Sequence, residues 1–379
     1  MSRFRLSWLL PVLIMAGCEP FDPWFDFAPD DKRLQHVGRM DWSTENGPTY
    51  AHSGVTVRFR CNCTGVDVAF EDHGTGGDEH TNWVNVIVDG KTEAKVQLKR
   101  GRNLLRGARN LPRGEHLVEL VKRTEPYAGK VTFLGVSLQG DLLDAPAWPE
   151  KRFEFIGDSI TCGYGNEADI YAPTYTEPNT GYHSKNEDIS QAYGSILGRR
   201  FNAEAVTTCI SGTGVYRNLD GSTEGRAFPY LYTRIYPDEE KPLWNPAYYK
   251  PDVIVINLGN NDFNVLGEDK LPTAPDEEKF KDAYKTFVLQ LREYYPDAKI
   301  ICSVGPMMND NYPAGRQHWT KMQEYVSEMV ESVGDPEHVF YFAYTPIVGD
   351  PYGEDWHPTN ESHAKMAEEL APFIESLGF

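Results

Sequence analysis

The feature that most constrains the fold is a change in the apolar pattern of the chain near residue 150. From Arg152 onward, apolar residues form continuous runs, as they do in strands buried on both faces, and these runs alternate with stretches of helical periodicity. The runs are RFEFIG, PDVIVINLG, AKIICSVGP and HVFYFA, and the helical stretches are SQAYGSILGRRF, DEEKFKDAYKTFVLQLREYY, HWTKMQEYVSEMVESV and ESHAKMAEELAPFIESL. This alternation predicts an α/β domain over residues 150–379, with a parallel sheet flanked by helices on both sides.

Residues 36–146 carry a different pattern, in which short strand-like segments are separated by Gly, Asn and Asp. Apolar residues alternate with a period of two, as in half-buried strands, for example at Val84, Val86 and Val88. Repeated strands at this spacing predict an all-β sandwich, which we interpret as a jelly roll. The segment DAPAWPEKR, rich in Pro and charge, is the predicted linker between the two domains.

The beginning of the chain, MSRFRLSWLLPVLIMAGCEP, has the order of an export signal. Two arginines precede an apolar run that is shorter than the roughly 20 residues of a membrane-spanning helix. The small residues before Cys18 resemble a bacterial lipobox, in which the cysteine is lipidated and becomes the first mature residue. An ordinary cleaved signal peptide is the alternative. We therefore predict a lipoprotein-type signal over residues 1–18, a linker over 19–35, and an exported bacterial protein anchored by lipid in the periplasm or at the cell surface.

The net charge of the 379-residue chain is −19, and no run of Lys and Arg interrupts it. Such a surface repels phosphate backbones and anionic lipid headgroups, so we expect no nucleic acid partner. The only cluster of metal-binding residue types is the Gly-rich loop EDHGTGGDEH, with His73, Asp78 and His80. A metal site needs several ligands in defined geometry, so we expect neither a metal nor another cofactor.

Five cysteines follow Cys18, without the C-x-x-C spacing of a zinc site: Cys61, Cys63, Cys162, Cys209 and Cys302. Cys61 and Cys63 lie two residues apart on one side of a predicted strand, which makes a bond between them awkward. We interpret most of these cysteines as buried small hydrophobic residues and leave their pairing open.

Candidate active-site residues stand at four positions, three of which follow predicted strands. In open parallel sheets ligands bind beyond the carboxyl ends of the strands, where Ser159, Gly212 and Asn261 follow three apolar segments. His357 lies on the loop before the last helix and has the side chain that suits a general base. Each residue alone has a structural alternative, such as a helix cap for Ser159 or a tight turn. Asp262 is better placed than Asn261 for such a turn.

Together these four stretches resemble the signature of the GDSL or SGNH hydrolases. The matching residues, in chain order, are Gly157-Asp158-Ser159, Ser211-Gly212, Gly259-Asn260-Asn261-Asp262 and His357-Pro358. The resemblance implies an SGNH-hydrolase-like parallel sheet, with Ser159 as the nucleophile and His357 as its base. It also implies an oxyanion hole made by the N–H groups of Ser159 and Gly212 and the amide of Asn261.

One position departs from the family pattern. The acid of the triad is normally an Asp three residues before the histidine, whereas this chain has Glu354 there and Asp355 one residue later. Three groups are candidates to orient His357: the Glu354 carboxylate with its longer arm, the Asp355 carboxylate, or a backbone carbonyl, which would leave a Ser-His dyad. Of the two side chains, we predict Glu354 as the acid of the triad.

A jelly roll that contains LVKRTEPYAGKVTFLGVSL, followed by an SGNH domain with DWHP near its end, resembles carbohydrate esterase family 2. The resemblance implies a serine esterase that removes O-acetyl groups from plant polysaccharides such as xylan and glucomannan, commonly at the 6-hydroxyl of hexopyranosyl units. Some members of that family lack the acid of the triad. The partner that it implies is an acetylated polysaccharide or oligosaccharide.

Aromatic residues in the predicted loops suit such a substrate, because the C–H bonds of a pyranose stack on flat rings. The candidates for lining the site are Trp356, beside His357, and then Tyr164, Tyr216 and Trp244. The alternative functions are an SGNH esterase or lipase that acts on other acylated glycans or on lipids, and a non-catalytic polysaccharide-binding protein.

Overall fold

The structure of the protein is a computed structural model that describes residues 23–168, 179–223, 225–348 and 351–379. The predicted signal over residues 1–18, including Cys18, lies outside these residues. Within the described ranges, no helix is both long enough and apolar enough to cross a membrane.

The first half of the chain is all-β, as predicted. Its strands are β1 (Trp24–Phe27), β2 (Gln35–Val37), β3 (Thr49–Tyr50), β4 (Thr56–Asp72), β5 (Trp83–Val88), β6 (Lys91–Gln97), β7 (Gly101–Arg109), β8 (Glu115–Lys122) and β9 (Val131–Leu142). All of their pairings are antiparallel. The 17-residue β4 pairs with β8 over its first half and with β7 over its second, and its alternate side chains fill one core. The prediction of a linker over 19–35 is wrong for β1, because this strand pairs with β9.

The structure gives the cysteine pairing that the sequence left open, and it corrects our interpretation of most cysteines as small hydrophobic residues, because four of them form disulfides. Cys61 is bonded to Cys63, and Cys162 is bonded to Cys209. The Cα atoms of Cys61 and Cys63 lie 5.4 Å apart, compared with roughly 6.6 Å for two steps along a regular strand. The pairing of β4 with β9 is irregular directly after Cys63, and this local contraction brings the two side chains within bonding range. Cys302 is free and buried.

The second half of the chain is the predicted α/β domain. Its elements are β10 (Lys151–Gly157), α1 (Ser159–Cys162), α2 (Tyr193–Arg200), β11 (Ala203–Cys209), α3 (Phe228–Leu231), β12 (Val253–Asn257), β13 (Val265–Leu266), β14 (Pro272–Thr273), α4 (Glu277–Tyr294), β15 (Lys299–Val304), α5 (His318–Val333), β16 (Val339–Ala343) and α6 (Asn360–Ser376). Five strands form a parallel sheet in the order β11-β10-β12-β15-β16. Apolar residues of α4 and α5 cover one face and those of α2 and α6 cover the other.

The strand order explains how distant residues meet. β10 lies between β11 and β12, and Gly157 at its end is in register with Cys209 on one side and Asn257 on the other. The segments that follow these three strands therefore begin at the same edge of the sheet. Ser159, Gly212 and Asn261, the residues predicted for the site, lie in these three segments.

Candidate active site

Ser159 is the first residue of α1, which starts two residues after the end of β10. Asp158 caps this helix, and its carboxylate accepts a hydrogen bond from the N–H of Ile160 at 3.0 Å. A side chain at Gly157 would collide with Thr161 and with the main-chain oxygen of Asn257, so the tight turn requires glycine there. The Ser159 side chain is buried at the edge of the sheet.

The imidazole of His357 lies against this serine. Its Nε2 is 2.7 Å from the Oγ of Ser159, the distance of a hydrogen bond. Its Nδ1 is 2.9 Å from the main-chain oxygen of Glu354. Because a carbonyl can only accept, Nδ1 carries the proton, and Nε2 is left to accept from the serine hydroxyl. This is the tautomer that a general base for Ser159 requires.

The carboxylate of Glu354 does not contact His357, so the contact predicted for this side chain is wrong. It accepts hydrogen bonds from the N–H of His183 at 3.0 Å and the amide of Asn186 at 2.7 Å, and it lies 2.7 Å from Nδ1 of His183. Asp355 also points elsewhere, because its carboxylate accepts from the hydroxyl of Tyr164 at 2.6 Å. The structure therefore has the third arrangement, in which a backbone carbonyl orients the imidazole.

The backbone around this carbonyl explains the arrangement. Asp355 and Trp356 both have left-handed conformations, with φ of 47° and 63°. Such values are uncommon for residues other than glycine and make a sharp turn. The turn brings His357 back onto the oxygen of Glu354, three residues earlier. The carboxylates of Glu354 and Asp355 stabilise the turn through hydrogen bonds with the segment from 180 to 186.

Asn261 lies between the segments that carry Ser159 and Gly212. Its amide nitrogen donates to the carboxylate of Asp158 at 3.1 Å and to the main-chain oxygen of Thr213 at 2.9 Å. Gly212 has a φ of 73°, a left-handed conformation that favours glycine. The structure thus brings together the residues that the sequence suggested for an oxyanion hole.

Asp262 has the structural role expected of it. Its carboxylate accepts hydrogen bonds from the backbone N–H groups of Val215, Tyr216 and Arg217, at 2.9, 2.9 and 2.8 Å. These bonds fix the loop after Gly212 against the loop that carries Asn261. Burial raises the pKa of Asp262 to about 6.

Two features that hold the loop of Gly212 were missed from the sequence. The disulfide between Cys162 and Cys209 joins the helix of Ser159 to the end of β11, just before this loop. Glu125, from the all-β half, accepts from the N–H of Ser211 at 2.8 Å and from its hydroxyl. The all-β half therefore contributes directly to the site. No local pattern signals either contact, because the partners come from distant segments.

The four aromatic candidates differ in position. Trp356 is 48% exposed beside His357, where it is available to a substrate. Tyr164 stacks on the imidazole of His357, with ring centroids 4.1 Å apart, and therefore supports the base. Tyr216 packs partly buried against the core. Trp244 packs near Val206 and Tyr249, toward the opposite end of the sheet, so its prediction as an active-site residue is wrong.

Within the part of the chain that the structure describes, one group of potential metal ligands comes together: Glu125, Cys162 and Glu187. Cys162 is committed to its disulfide, and the two carboxylates accept hydrogen bonds from Ser211 and Tyr182. The group does not include the predicted loop residues His73, Asp78 and His80.

A serine at the carboxyl edge of a parallel sheet, with the imidazole of a histidine hydrogen-bonded to its hydroxyl, is the arrangement of a serine hydrolase. Residues 155–365 match the model of the GDSL-like Lipase/Acylhydrolase family, and residues 36–146 match the model of the Carbohydrate esterase 2 N-terminal region. The chain belongs to carbohydrate esterase family 2.

Similar proteins match nearly the whole chain. "Cellulase/esterase CelE" of Acetivibrio thermocellus is 35% identical over 353 residues, which are 92% of this chain and 40% of that protein. "Acetylxylan esterase / glucomannan deacetylase" of Cellvibrio japonicus is 28% identical over 352 residues, 92% of this chain and 90% of that protein. The structure of a family two carbohydrate esterase from Clostridium thermocellum in complex with cellohexaose has a TM-score of 0.80 and 34% identity, and the match covers 90% of this chain and 98% of that chain.

Proposed function

We propose that this chain is a serine esterase that removes O-acetyl groups from plant cell-wall polysaccharides through an acyl-enzyme. The observation that carries the proposal is the 2.7 Å contact between the Ser159 hydroxyl and Nε2 of His357, with Nδ1 held by a carbonyl. The relatives named as acetylxylan esterases and glucomannan deacetylases support acetylated xylan and glucomannan as substrates. The position that we propose for attack is the acetyl ester on the 6-oxygen of hexopyranosyl units.

The reaction follows from these contacts. Ser159 Oγ attacks the acetyl carbonyl carbon while Nε2 of His357 takes the hydroxyl proton. The oxygen of the tetrahedral intermediate accepts from the N–H groups of Ser159 and Gly212 and from the Asn261 amide, which exchanges one of its two hydrogen bonds, to Asp158 or to Thr213, for the bond to this oxygen. His357 then protonates the sugar oxygen as it leaves, and the acetyl group stays on Ser159. A water molecule then attacks the carbonyl carbon of this ester as Nε2 of His357 takes its proton. The imidazolium gives the proton to Ser159 Oγ as the acyl bond breaks, which releases acetate and restores the serine hydroxyl.

The substrate of such an esterase lies outside the cell, which agrees with an exported protein. We further propose that the export signal is of the lipoprotein type and that Cys18 carries the lipid. The order of charged, apolar and small residues before Cys18 supports this proposal. Globomycin, which blocks lipoprotein signal cleavage, should cause the precursor to accumulate in a bacterial host, and Cys18→Ala should abolish lipid labelling.

Acetate release tests the proposed activity. Purified protein should release acetate from acetylated xylan and glucomannan, and should hydrolyse short-chain p-nitrophenyl esters in preference to long-chain esters. Preference for long acyl chains would favour a lipase. Binding of polysaccharide without any acetate release would favour the non-catalytic alternative. Either result would overturn the proposal.

Replacing Glu354 with glutamine should lower kcat by less than about tenfold, whereas loss of a true triad carboxylate costs about 10⁴-fold. The reason is that the main-chain oxygen, which Glu354→Gln keeps, is the group on Nδ1. The matched variant Asp355→Asn should behave alike, because that carboxylate also does not contact the imidazole. Steady-state kinetics on an acetyl ester, with thermal unfolding as a folding control, measure the effect. A loss of kcat near 10⁴-fold in one properly folded variant would show that the carboxylate of that residue orients His357, as in a triad.

The acid limb of the pH–rate profile should lie unusually low. Burial lowers the pKa of His357 to about 4, and only the neutral imidazole accepts the serine proton. Activity is therefore expected to stay near its maximum at pH 5, and to fall as the imidazole becomes protonated through about pH 4. The measurement is kcat/KM for a soluble acetyl ester from about pH 3.5 to 8, with the folded fraction followed at each pH. An acid limb near the ordinary imidazole pKa of about 6.5 would contradict the lowered pKa of His357.

A further inference from the structure

A groove lies at the end of the parallel sheet opposite the active site. Arg152 and Glu204, which line it, are the second residues of β10 and β11, whereas Ser159 and Gly212 follow the other ends of these strands. Gly157 lies five residue steps along β10 from Arg152, a distance of about 16 Å. The groove is therefore separate from the catalytic serine.

The lining of this groove is unusually rich in aromatic side chains. Three of them are widely open to solvent: Trp42 is 50% exposed, Trp148 is 47% exposed and Tyr248 is 76% exposed. Trp244 lies with them, and the cavity has a volume of about 360 Å³, which is within the usual range of ligand pockets. We call this surface, defined by Trp42, Trp148, Trp244 and Tyr248, the tryptophan groove.

Neighbouring groups contact these rings. Trp42 meets His36 edge-on, with ring centroids 4.7 Å apart. Trp148 lies under the guanidinium of Arg58, 5.5 Å from the ring centroid. The ring of Trp244 lies edge-on to Tyr248 at 5.8 Å. Rings held in this way lose little conformational freedom when a ligand binds, which favours affinity.

The charges of the tryptophan groove fit an uncharged ligand. Its two charged lining residues, Arg152 and Glu204, have opposite signs and approach to 3.9 Å. The lining is thus close to neutral, and the Arg58 guanidinium over Trp148 adds one positive charge beside it, on a chain whose net charge is −19. Flat exposed rings beside paired polar groups match the C–H faces and hydroxyl groups of a pyranose.

We propose that the tryptophan groove is a second binding site for a neutral polysaccharide chain, distinct from the site of deacetylation. The choice of ligand rests on the proposed function, since the substrate is a polymer of the same chemistry. When one polymer occupies both sites, the second contact is intramolecular and raises the apparent affinity. The groove should therefore raise the affinity for long polysaccharide chains and leave the kinetics on short substrates unchanged.

The test compares the double variant Trp42→Ala/Tyr248→Ala with wild type and with Phe25→Ala, which removes an exposed aromatic ring of β1 outside the groove. The double variant should raise KM for acetylated glucomannan about tenfold, with kcat unchanged, as expected when a few exposed aromatic contacts are lost. Kinetics on p-nitrophenyl acetate and on acetylated disaccharides should not change. Phe25→Ala should match wild type on every substrate.

Binding provides an independent measurement. In gels that contain deacetylated glucomannan, the Ser159→Ala protein should be retarded, and adding Trp42→Ala/Tyr248→Ala should weaken the retardation about tenfold. Unchanged retardation together with an unchanged polymer KM would overturn the second site. An inactive wild type on small acetyl esters would instead overturn the proposed esterase function, so the two failures are distinguishable.

Discussion

Replacing Ser159 with alanine is expected to lower kcat for acetate release by about 10⁶-fold, the loss that follows removal of the nucleophile from another serine hydrolase. The Oγ atom forms the hydrogen bond to His357, and without it no acyl-enzyme forms. The smaller side chain should be tolerated at the first position of α1, because Asp158 rather than Ser159 caps that helix. Initial rates on acetylated glucomannan and on p-nitrophenyl acetate measure the loss.

Ser195→Ala is a matched control, because Ser195 lies partly exposed on α2 and outside the site. It should keep wild-type rates, and both variants should unfold at the wild-type temperature. Residual activity of Ser159→Ala within about tenfold of wild type, in correctly folded protein, would exclude Ser159 as the nucleophile.

Replacing Asn261 with alanine is expected to lower kcat by about 10²- to 10³-fold, the usual cost of losing one oxyanion donor. KM should change little, because charge on the carbonyl oxygen develops only in the transition state. The Asn261 amide also bonds to Asp158 and to the main-chain oxygen of Thr213, so a purely structural role is the competing explanation. The kcat and KM values separate the two explanations.

Asn264→Ala provides the comparison for this variant, since Asn264 is a partly exposed asparagine three residues further along the same loop. It should keep both kinetic constants. If Asn261→Ala raises KM without lowering kcat, or loses activity only in proportion to lost folded protein, Asn261 is not an oxyanion donor.

The sheet and the main site residues could be predicted from the sequence for physical reasons. Strands buried on both faces need continuous apolar runs, and the carboxyl ends of parallel strands meet at one edge. These two facts place Ser159, Gly212 and Asn261 at one edge of the sheet, and the resemblance to the SGNH hydrolases implies their roles. The structure adds that β10 lies between β11 and β12.

The orienting group of His357 could not be predicted in the same way. The choice between the carboxylate and the carbonyl of Glu354 depends on the left-handed conformations of Asp355 and Trp356, which no residue type there demands. The contribution of Glu125 depends on how the two halves of the chain pack, as does the position of Trp244. Sequence spacing gives residue types and strand ends, but such contacts between distant loops follow only from tertiary packing.

Labelling with a fluorophosphonate, which reacts with activated serine hydroxyls, tests the Ser159–His357 dyad most directly. Peptide mass spectrometry should find one label per chain on Ser159, formed in Glu354→Gln at a rate within about tenfold of wild type and far more slowly in His357→Ala. No label should form on Ser159→Ala. Labelling of a different serine, or an equal rate with and without His357, would contradict the dyad.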